Sequence, residues 1–195
     1  MKPFNLSLVA LTLSSTLLVG CQSTQDITAL SSTSVQAQSV NVFESVANDI
    51  VAYRKSVDPY QQKEGVNGYF LPNLSPEFLA NNHAKNVAFL ARLNAVDVSA
   101  LDEQNRINHA IIVSQVQNSV DEYDFNAHYM PLTSEFGFHS ALSFMVSRSS
   151  FKTVEDYQLY LKRLADVPRY FEQNIAWMKK GVAIGLTQPK PVLLG

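Results

Sequence analysis

The chain contains one cysteine among its 195 residues, so no disulfide can form within it. Its charges almost cancel, with 15 Lys and Arg against 17 Asp and Glu. That balance gives no reason to expect nucleic acid or a polybasic membrane surface as a partner. The sequence also lacks a glycine-rich phosphate loop and the Gly-x-Ser-x-Gly turn of many serine hydrolases. Its apolar fraction of 46% is enough for the core of one globular domain.

Four histidines occur, and none lies in a His-Glu-x-x-His motif or four residues from another. The sequence therefore assigns no catalytic residue and no metal ligand. His128, Glu135 and His139 share one loop and could meet at a metal, but their spacing has no specificity. A hydrogen bond that pins the loop is the favoured role of His139. For His109, which lies on an apolar helix face, a hydrogen-bonded core position is favoured over metal binding.

The N-terminus has the pattern of an export signal, which we assign to residues 1–20. A positive start, Met1-Lys2, precedes an apolar run that is too short for a good membrane span and ends in Leu-Val-Gly before Cys21. This ending resembles the lipobox of bacterial lipoproteins. The resemblance implies that Cys21 carries several acyl chains, palmitate among them, which together anchor it stably to a lipid bilayer. The alternative is an ordinary secretory signal that happens to contain a cysteine.

The residue after the cysteine, Gln22, is not an aspartate, which by resemblance to sorting signals favours the outer membrane facing the periplasm. Residues from Gln22 to Ser39 are rich in Ser, Thr and Gln and have little to bury. We therefore divide the rest of the chain into a lipidated cysteine with a flexible tether, residues 21–38, and a helical domain, residues 39–195.

Apolar residues at helical spacing predict three helices in the first part of that domain. The first contains Phe43 and ends before Asp58-Pro59, and a loop follows it as far as Leu74. The second begins at Ser75-Pro76-Glu77, where a hydroxyl cap and a proline in the first turn favour a helix start. The third runs from about Asp102 to Tyr123, and three acidic residues near its end are predicted to be solvated.

The longest helical pattern extends from Phe151 to Gly185, with Thr153 as N-cap. Pro168 should kink or split it, and Asp166 could cap the second half. Gly181 and Gly185 are predicted stop signals. The apolar stripe, which other helices should cover, consists of Tyr157, Leu161, Leu164, Pro168, Phe171, Ile175, Met178 and Val182. Tyr160, Tyr170 and Trp177 lie off this stripe and are expected to pack on a second face. The fold class that follows is all-α, an irregular helical bundle.

The segment between these helical regions, Phe125 to Ser150, is an aromatic loop with a short helix predicted near Leu142 to Val146. A long apolar connection in a helical protein usually packs over the core or lines a cleft. We therefore take His128, Phe138 and His139 as candidate residues for substrate contact.

Several stretches together resemble one bacterial family. They are LPNLSPEFLA, LDEQNRINHAII, the whole Phe151 to Gly185 pattern and TQPKPVLLG. In that order they look like the N-terminal part of domain-of-unknown-function family number eight hundred and eighty-five. The resemblance implies a large, mostly helical, often exported lipoprotein, similar to zinc metallopeptidases of the thermolysin-like, carboxypeptidase-related kind.

The metal motif of that family lies downstream of the region that resembles this chain, so no catalytic or zinc-binding residue is carried over. We expect an incomplete piece of a larger domain, because the final PVLLG reads as the start of a new element. The predicted function is the N-terminal helical scaffold of an exported, membrane-tethered zinc-dependent peptidase, inactive alone. Zinc and a peptide substrate would belong to the intact enzyme. The alternative is a stand-alone envelope lipoprotein that acts as a non-catalytic binding or structural module.

Overall fold

Helices dominate residues 24–133 and 136–193, the part of the chain that the computed structural model describes. Within these ranges no β-strand forms, and the only β-type pairings are two isolated bridges, Val66 with Tyr69 and Leu132 with Gly137. This confirms the all-α fold class. The helices are α1 Thr24–Val57, α2 Pro76–Asn94, α3 Glu103–Asp124, α4 Phe138–Ala141, α5 Val154–Ala165, α6 Val167–Ala183 and α7 Lys190–Leu193.

Local capping chemistry sets several of the helix starts. The Ser75 side chain accepts a hydrogen bond from the Phe78 amide at the start of α2, and Asp102 accepts one from the Asn105 amide at the start of α3. Thr153 and Asp156 form a reciprocal capping box at the start of α5. These starts agree with the predicted ones, because caps depend on a few neighbouring residues only.

The segment predicted as a flexible tether is helical where it is described. Helix α1 begins at Thr24 and continues without interruption to Val57, immediately before Asp58-Pro59. Ser, Thr and Gln lower helix propensity only slightly, and without proline or glycine in this stretch nothing stops the helix. The predicted signal peptide, residues 1–20, and the lipidation site Cys21 lie outside the described residues, as does Glu135.

The main core lies where α1, α2 and α3 meet. Leu93 on α2 and Val116 on α3 are fully buried, and Ile50 on α1 is nearly so. The remaining members come from the same helices and from the α2–α3 connection: Phe43, Val46, Phe89, Val96 and Leu101. Burial of these apolar side chains supplies the main driving force for this half of the molecule.

Helices α5 and α6 bury a different face from the predicted one. Their buried residues are Arg163, Asn174, Trp177 and Gly181. Most of the predicted apolar stripe is exposed instead: Tyr157 by 55%, Leu161 by 61%, Leu164 by 42%, Ile175 by 42% and Val182 by 66%. Both faces carry apolar groups, so helical spacing alone could not select the buried one. The packing expected of Trp177 is confirmed.

Asp166 lies at the junction of α5 and α6, but its side chain makes no cap hydrogen bond. Its carboxylate faces the loop after α1 and accepts hydrogen bonds from the backbone amides of Phe70 at 2.9 Å and Leu71 at 2.8 Å. It also pairs with Arg169, whose guanidinium donates to the Leu71 and Pro72 carbonyls. The predicted capping role is therefore wrong, and this pair clips the loop to α6.

Two more α6 side chains extend the clip. The Gln173 side-chain oxygen accepts a hydrogen bond from the Leu74 amide at 2.8 Å, and the Trp177 indole donates one to the Leu74 carbonyl at 2.7 Å. Because Leu74 immediately precedes the cap of α2, these bonds fix where α2 begins relative to α6. No helix in the described part of the chain is long and apolar enough to cross a membrane.

Candidate functional site

A cavity of about 290 Å³ opens between α2, α3 and the helical turn Ala127–Tyr129 that follows α3. Its lining mixes two imidazoles, a phenol, an amide, a hydroxyl and a carboxylate with small apolar groups. Such a mixture of apolar walls with a few polar groups is typical of ligand sites. The lining residues are Leu79, Asn82, His83, Ser119, Glu122, Tyr123, Ala127 and His128.

Stacked rings form one wall of this cavity. Tyr123 at the end of α3 stacks on His83 of α2, with ring centroids 4.4 Å apart, and on His128, with centroids 5.5 Å apart. His128 then meets the Trp177 ring edge-on at 4.5 Å. Trp177 itself stacks on Tyr129 at 5.2 Å. The stack therefore joins α2, α3 and α6, and it holds both imidazoles in fixed orientations.

The two histidines differ in their electrostatic surroundings. Nε2 of His83 lies 3.4 Å from a carboxylate oxygen of Asp124, so the pair becomes an ion pair when His83 is protonated. Nδ1 of His83 is buried and has no hydrogen-bond partner in the described part of the chain. Burial lowers the pKa of His128, and the positive charge of Lys180 lowers it further. Both effects favour the neutral form of His128, in which one ring nitrogen can accept a hydrogen bond.

The loop that carries the candidate substrate-contact residues contacts α6 at two separate places. His128 contacts Trp177, whereas Phe138 packs on Phe171 at 4.9 Å and edge-on against His139 at 6.0 Å. Phe171 and Trp177 are six residues apart, about 9 Å along a helix. These contacts attach the aromatic loop to α6 in two places, and they do not bring His128 and His139 together.

A second, smaller cavity of about 110 Å³ lies where the aromatic loop meets the end of α6. It is almost wholly apolar, and the Gln188 side chain closes one side by donating to the Leu132 carbonyl at 2.8 Å. The lining residues are Tyr129, Met130, Pro131, Leu132, Met178, Val182, Leu186, Thr187 and Gln188. This volume suits one apolar side chain.

His83 and Trp177 had no functional assignment from the sequence. They are 94 positions apart, on α2 and α6, and no motif links residues at such a distance. The solvated state expected for the acidic residues at the end of α3 agrees with Asp124, whose side chain is 55% exposed. His109 is buried and its Nε2 lies 2.9 Å from the Leu93 carbonyl, as expected of a core histidine.

The described residues do not fit a zinc ion. In residues 24–133 and 136–193, no three side chains of His, Cys, Asp or Glu converge closely enough to hold a metal. His83 and Asp124 supply two such groups side by side, one short of the minimum protein ligand set of a catalytic zinc. We therefore derive no step through a metal.

The fold and the cavity define a helical domain, and comparison with known proteins gives a firmer class. Residues 61–194 match the family model described as bacterial protein of unknown function (DUF885). That span covers most of the chain, and the chain belongs to this family. No curated protein and no solved structure matches it.

Proposed function

We propose that this chain is the N-terminal helical scaffold of an exported, membrane-tethered member of its family, inactive alone, whose intact form is a zinc-dependent peptidase. In that proposal the described residues bind the remainder of the domain and form one wall of its cleft. The metal and its ligands would come from the remainder. Zinc there would polarise the scissile carbonyl and activate water.

The observation that carries the scaffold role is the exposed apolar stripe on α5 and α6. Tyr157, Leu161 and Leu164 follow one another at helical spacing on α5, and each is between 42% and 61% exposed. Ile175 and Val182 continue the pattern on α6. Large apolar side chains exposed in a row at helical spacing often mark an interface. The stripe lies within the family-matched region, which supports a role common to the family domain.

The position of the smaller apolar cavity supports the same role. Val182 belongs both to the stripe and to the cavity lining, so the stripe leads directly into a recess of about 110 Å³. A recess beside an apolar face is a typical seat for an anchoring side chain of the opposing surface. Peptide contact by His128, Phe138 and His139 remains part of this proposal for the intact enzyme.

The size of the native polypeptide tests whether a remainder exists. An immunoblot of the source cell envelope with an antibody to residues 75–124 is expected to show a band well above 21.7 kDa. The band should label with palmitate and lose the label in Cys21→Ser, since Cys21 is the proposed anchor to the outer membrane. A band near the calculated mass would contradict the scaffold role and favour a stand-alone binding or structural lipoprotein.

Metal content tests the claim that this chain alone is inactive. We expect the purified 195-residue chain to contain far less than one zinc per molecule by atomic emission, and to cleave no peptide. One zinc per chain that disappears in His139→Ala, but is retained in the control His109→Gln, would overturn this part of the proposal.

A further inference from the structure

Arg163 on α5 is one of the few charged side chains in the interior, with only 4% of its surface exposed. One terminal nitrogen of its guanidinium donates to the Ser149 hydroxyl at 3.2 Å, and the other donates to the Tyr60 carbonyl at 3.3 Å. The Tyr60 ring lies 5.0 Å from its central carbon. Its Nε is buried and has no hydrogen-bond partner in the described part of the chain.

All of these partners are neutral. Within residues 24–133 and 136–193, no carboxylate oxygen lies within 4.0 Å of an Arg163 nitrogen. Asp58, near Tyr60 in sequence, accepts hydrogen bonds from the Tyr60 amide and the Gln61 side chain instead. Asp166, one turn further along, is engaged by Arg169. The buried positive charge of Arg163 therefore has no carboxylate in direct contact among the described residues.

An arginine cannot relieve this situation by losing its proton, because its guanidinium stays charged at every pH that a protein tolerates. A buried charge without a partner is costly, and the ring of Tyr60 compensates only part of that cost. An oxyanion is the natural complement, because the guanidinium fork matches a carboxylate or phosphate edge.

A second arginine, Arg148, also acts electrostatically on Tyr60. Burial raises the pKa of Tyr60, the positive charges of Arg163 and Arg148 lower it, and the negative charge of Asp58 raises it. Arg148 is exposed, and Ser149 next to it is partly exposed. Arg163 in the interior and Arg148 at the surface thus outnumber Asp58 around Tyr60, and an excess of positive charge draws in an anion.

We propose that Arg163, Arg148, Ser149 and Tyr60 form an oxyanion-binding site between α5, the segment before it and the loop after α1. A carboxylate of a protein segment and a free phosphate present the same chemistry to this site. Binding supplies the missing counter-ion to Arg163 and ties the loop after α1 to the segment before α5. This site is separate from the histidine-lined cavity and does not depend on the proposed scaffold role.

The test measures thermal unfolding of the full chain, purified in detergent, by tryptophan fluorescence from Trp177. Inorganic phosphate and acetate are compared with chloride at equal ionic strength. We expect at least one oxyanion to raise the Tm by about 3 °C, the scale of binding at several times Kd. Arg163→Met, which keeps the apolar volume, is expected to abolish this rise, and Arg148→Met to reduce it.

The control is Arg92→Met, because Arg92 is exposed and already paired with Asp49 at 2.6 Å. Arg92→Met should keep the full rise in Tm. This control separates binding at the site from the general stabilising effect of phosphate. A rise with acetate alone indicates a protein carboxylate as the occupant, and a rise with phosphate indicates a free anion. No rise in the wild type, or an equal rise in Arg163→Met, overturns the site. If Arg163→Met does not fold, an undiminished rise in Arg148→Met overturns it.

Discussion

His109 and His128 both lie against apolar surroundings, and their hydrogen-bond and charge partners distinguish them. His109 is fixed by a backbone carbonyl and by an edge contact with Phe43 at 5.7 Å, so it completes the core. His128 lies against Trp177 and near Lys180, which disfavour its protonation. A histidine such as His128, whose pKa differs between the folded and unfolded states, makes the free energy of unfolding depend on pH.

We predict that acid destabilises the chain partly through His128. Its folded-state pKa is lower than the unfolded value of about 6.5, so the unfolded state takes up more protons below that pH. The contribution of neutral His128 to the free energy of unfolding is complete above about pH 6.5 and is lost as the pH falls through the pKa of the folded state. Denaturant titrations of wild type and His128→Phe at several pH values should show a shallower acid decline in the variant. Equal slopes would contradict the prediction.

Asp166 gives the second prediction at this scale. Burial alone would raise its pKa, but hydrogen bonds from Arg169 and from the Leu71 and Phe70 amides outweigh burial and lower it. The carboxylate therefore stabilises the fold fully above pH 4 or so, and this contribution disappears as the pH falls through the lowered pKa. Asp166→Asn should cost about 2 kcal/mol at pH 7, since it removes charge from these hydrogen bonds, and much less near pH 2.

Chemical unfolding at both pH values measures this difference. Asp97→Asn is a suitable control, because Asp97 also accepts local backbone and side-chain hydrogen bonds but contacts no distant loop. A similar loss of unfolding free energy in Asp166→Asn and Asp97→Asn at pH 7 would contradict the prediction. It would show that the hydrogen bonds of Asp166 to the distant loop add nothing beyond what a local cap provides.

At the scale of elements, α6 does most to organise the second half of the molecule. It bonds the loop before α2 through Arg169, Gln173 and Trp177, and it packs against the aromatic loop through Phe171 and Gly181. Gly181 was predicted to stop the helix, but α6 continues to Ala183. The glycine instead allows the Tyr129 and Leu186 backbones to approach closely.

We predict that Gly181→Ala destabilises the chain even though alanine favours helices. An added Cβ would lie 2.8 Å from the Leu186 carbonyl oxygen and 3.0 Å from that of Tyr129, and neither backbone atom can move freely. Overpacking of this kind costs about 1–3 kcal/mol. Gly185→Ala is the comparison, because Gly185 has open space around it and its cost comes from a φ of +76° alone. A stabilised Gly181→Ala would show that the helix end shifts at little cost.

The exposed stripe gives a second element-scale prediction. Leu161→Lys and Ile175→Lys should each change the free energy of unfolding by less than about 0.5 kcal/mol, because neither side chain is in the core. Leu93→Ala, the control at a fully buried position, should cost about 3 kcal/mol. A cost above about 2 kcal/mol for either lysine variant would place the stripe inside the fold.

At the scale of the whole molecule, the described helices bury an apolar core and leave an apolar stripe on the surface. We predict that residues 39–195 self-associate and bind a hydrophobic dye, and that Leu161→Lys combined with Ile175→Lys reduces both. Size-exclusion chromatography and dye fluorescence measure these effects. Monomeric elution of the unmodified protein without dye binding would favour an independent module over a scaffold.

Local rules were sufficient for the helix boundaries at Val57, Ser75, Asp102 and Thr153, because each cap or breaker acts within one turn. The all-α class followed from the same periodicity, and the family from the order of its stretches. The orientation of α5 and α6 could not be read in this way, since both sides of these helices carry apolar side chains. Long-range contacts select the face with Trp177 and Arg163, since the indole donates to the Leu74 carbonyl and the guanidinium to the Tyr60 carbonyl.

The grouping of His83, Tyr123, His128 and Trp177 belongs to the tertiary structure alone. The four residues lie on α2, α3, a turn and α6, and only the packing of those elements places their rings within stacking distance. The loop clip at Asp166 has the same origin, because its amide partners are about a hundred residues away. Sequence patterns act over one or two helical turns, whereas these sites arise from contacts between distant segments.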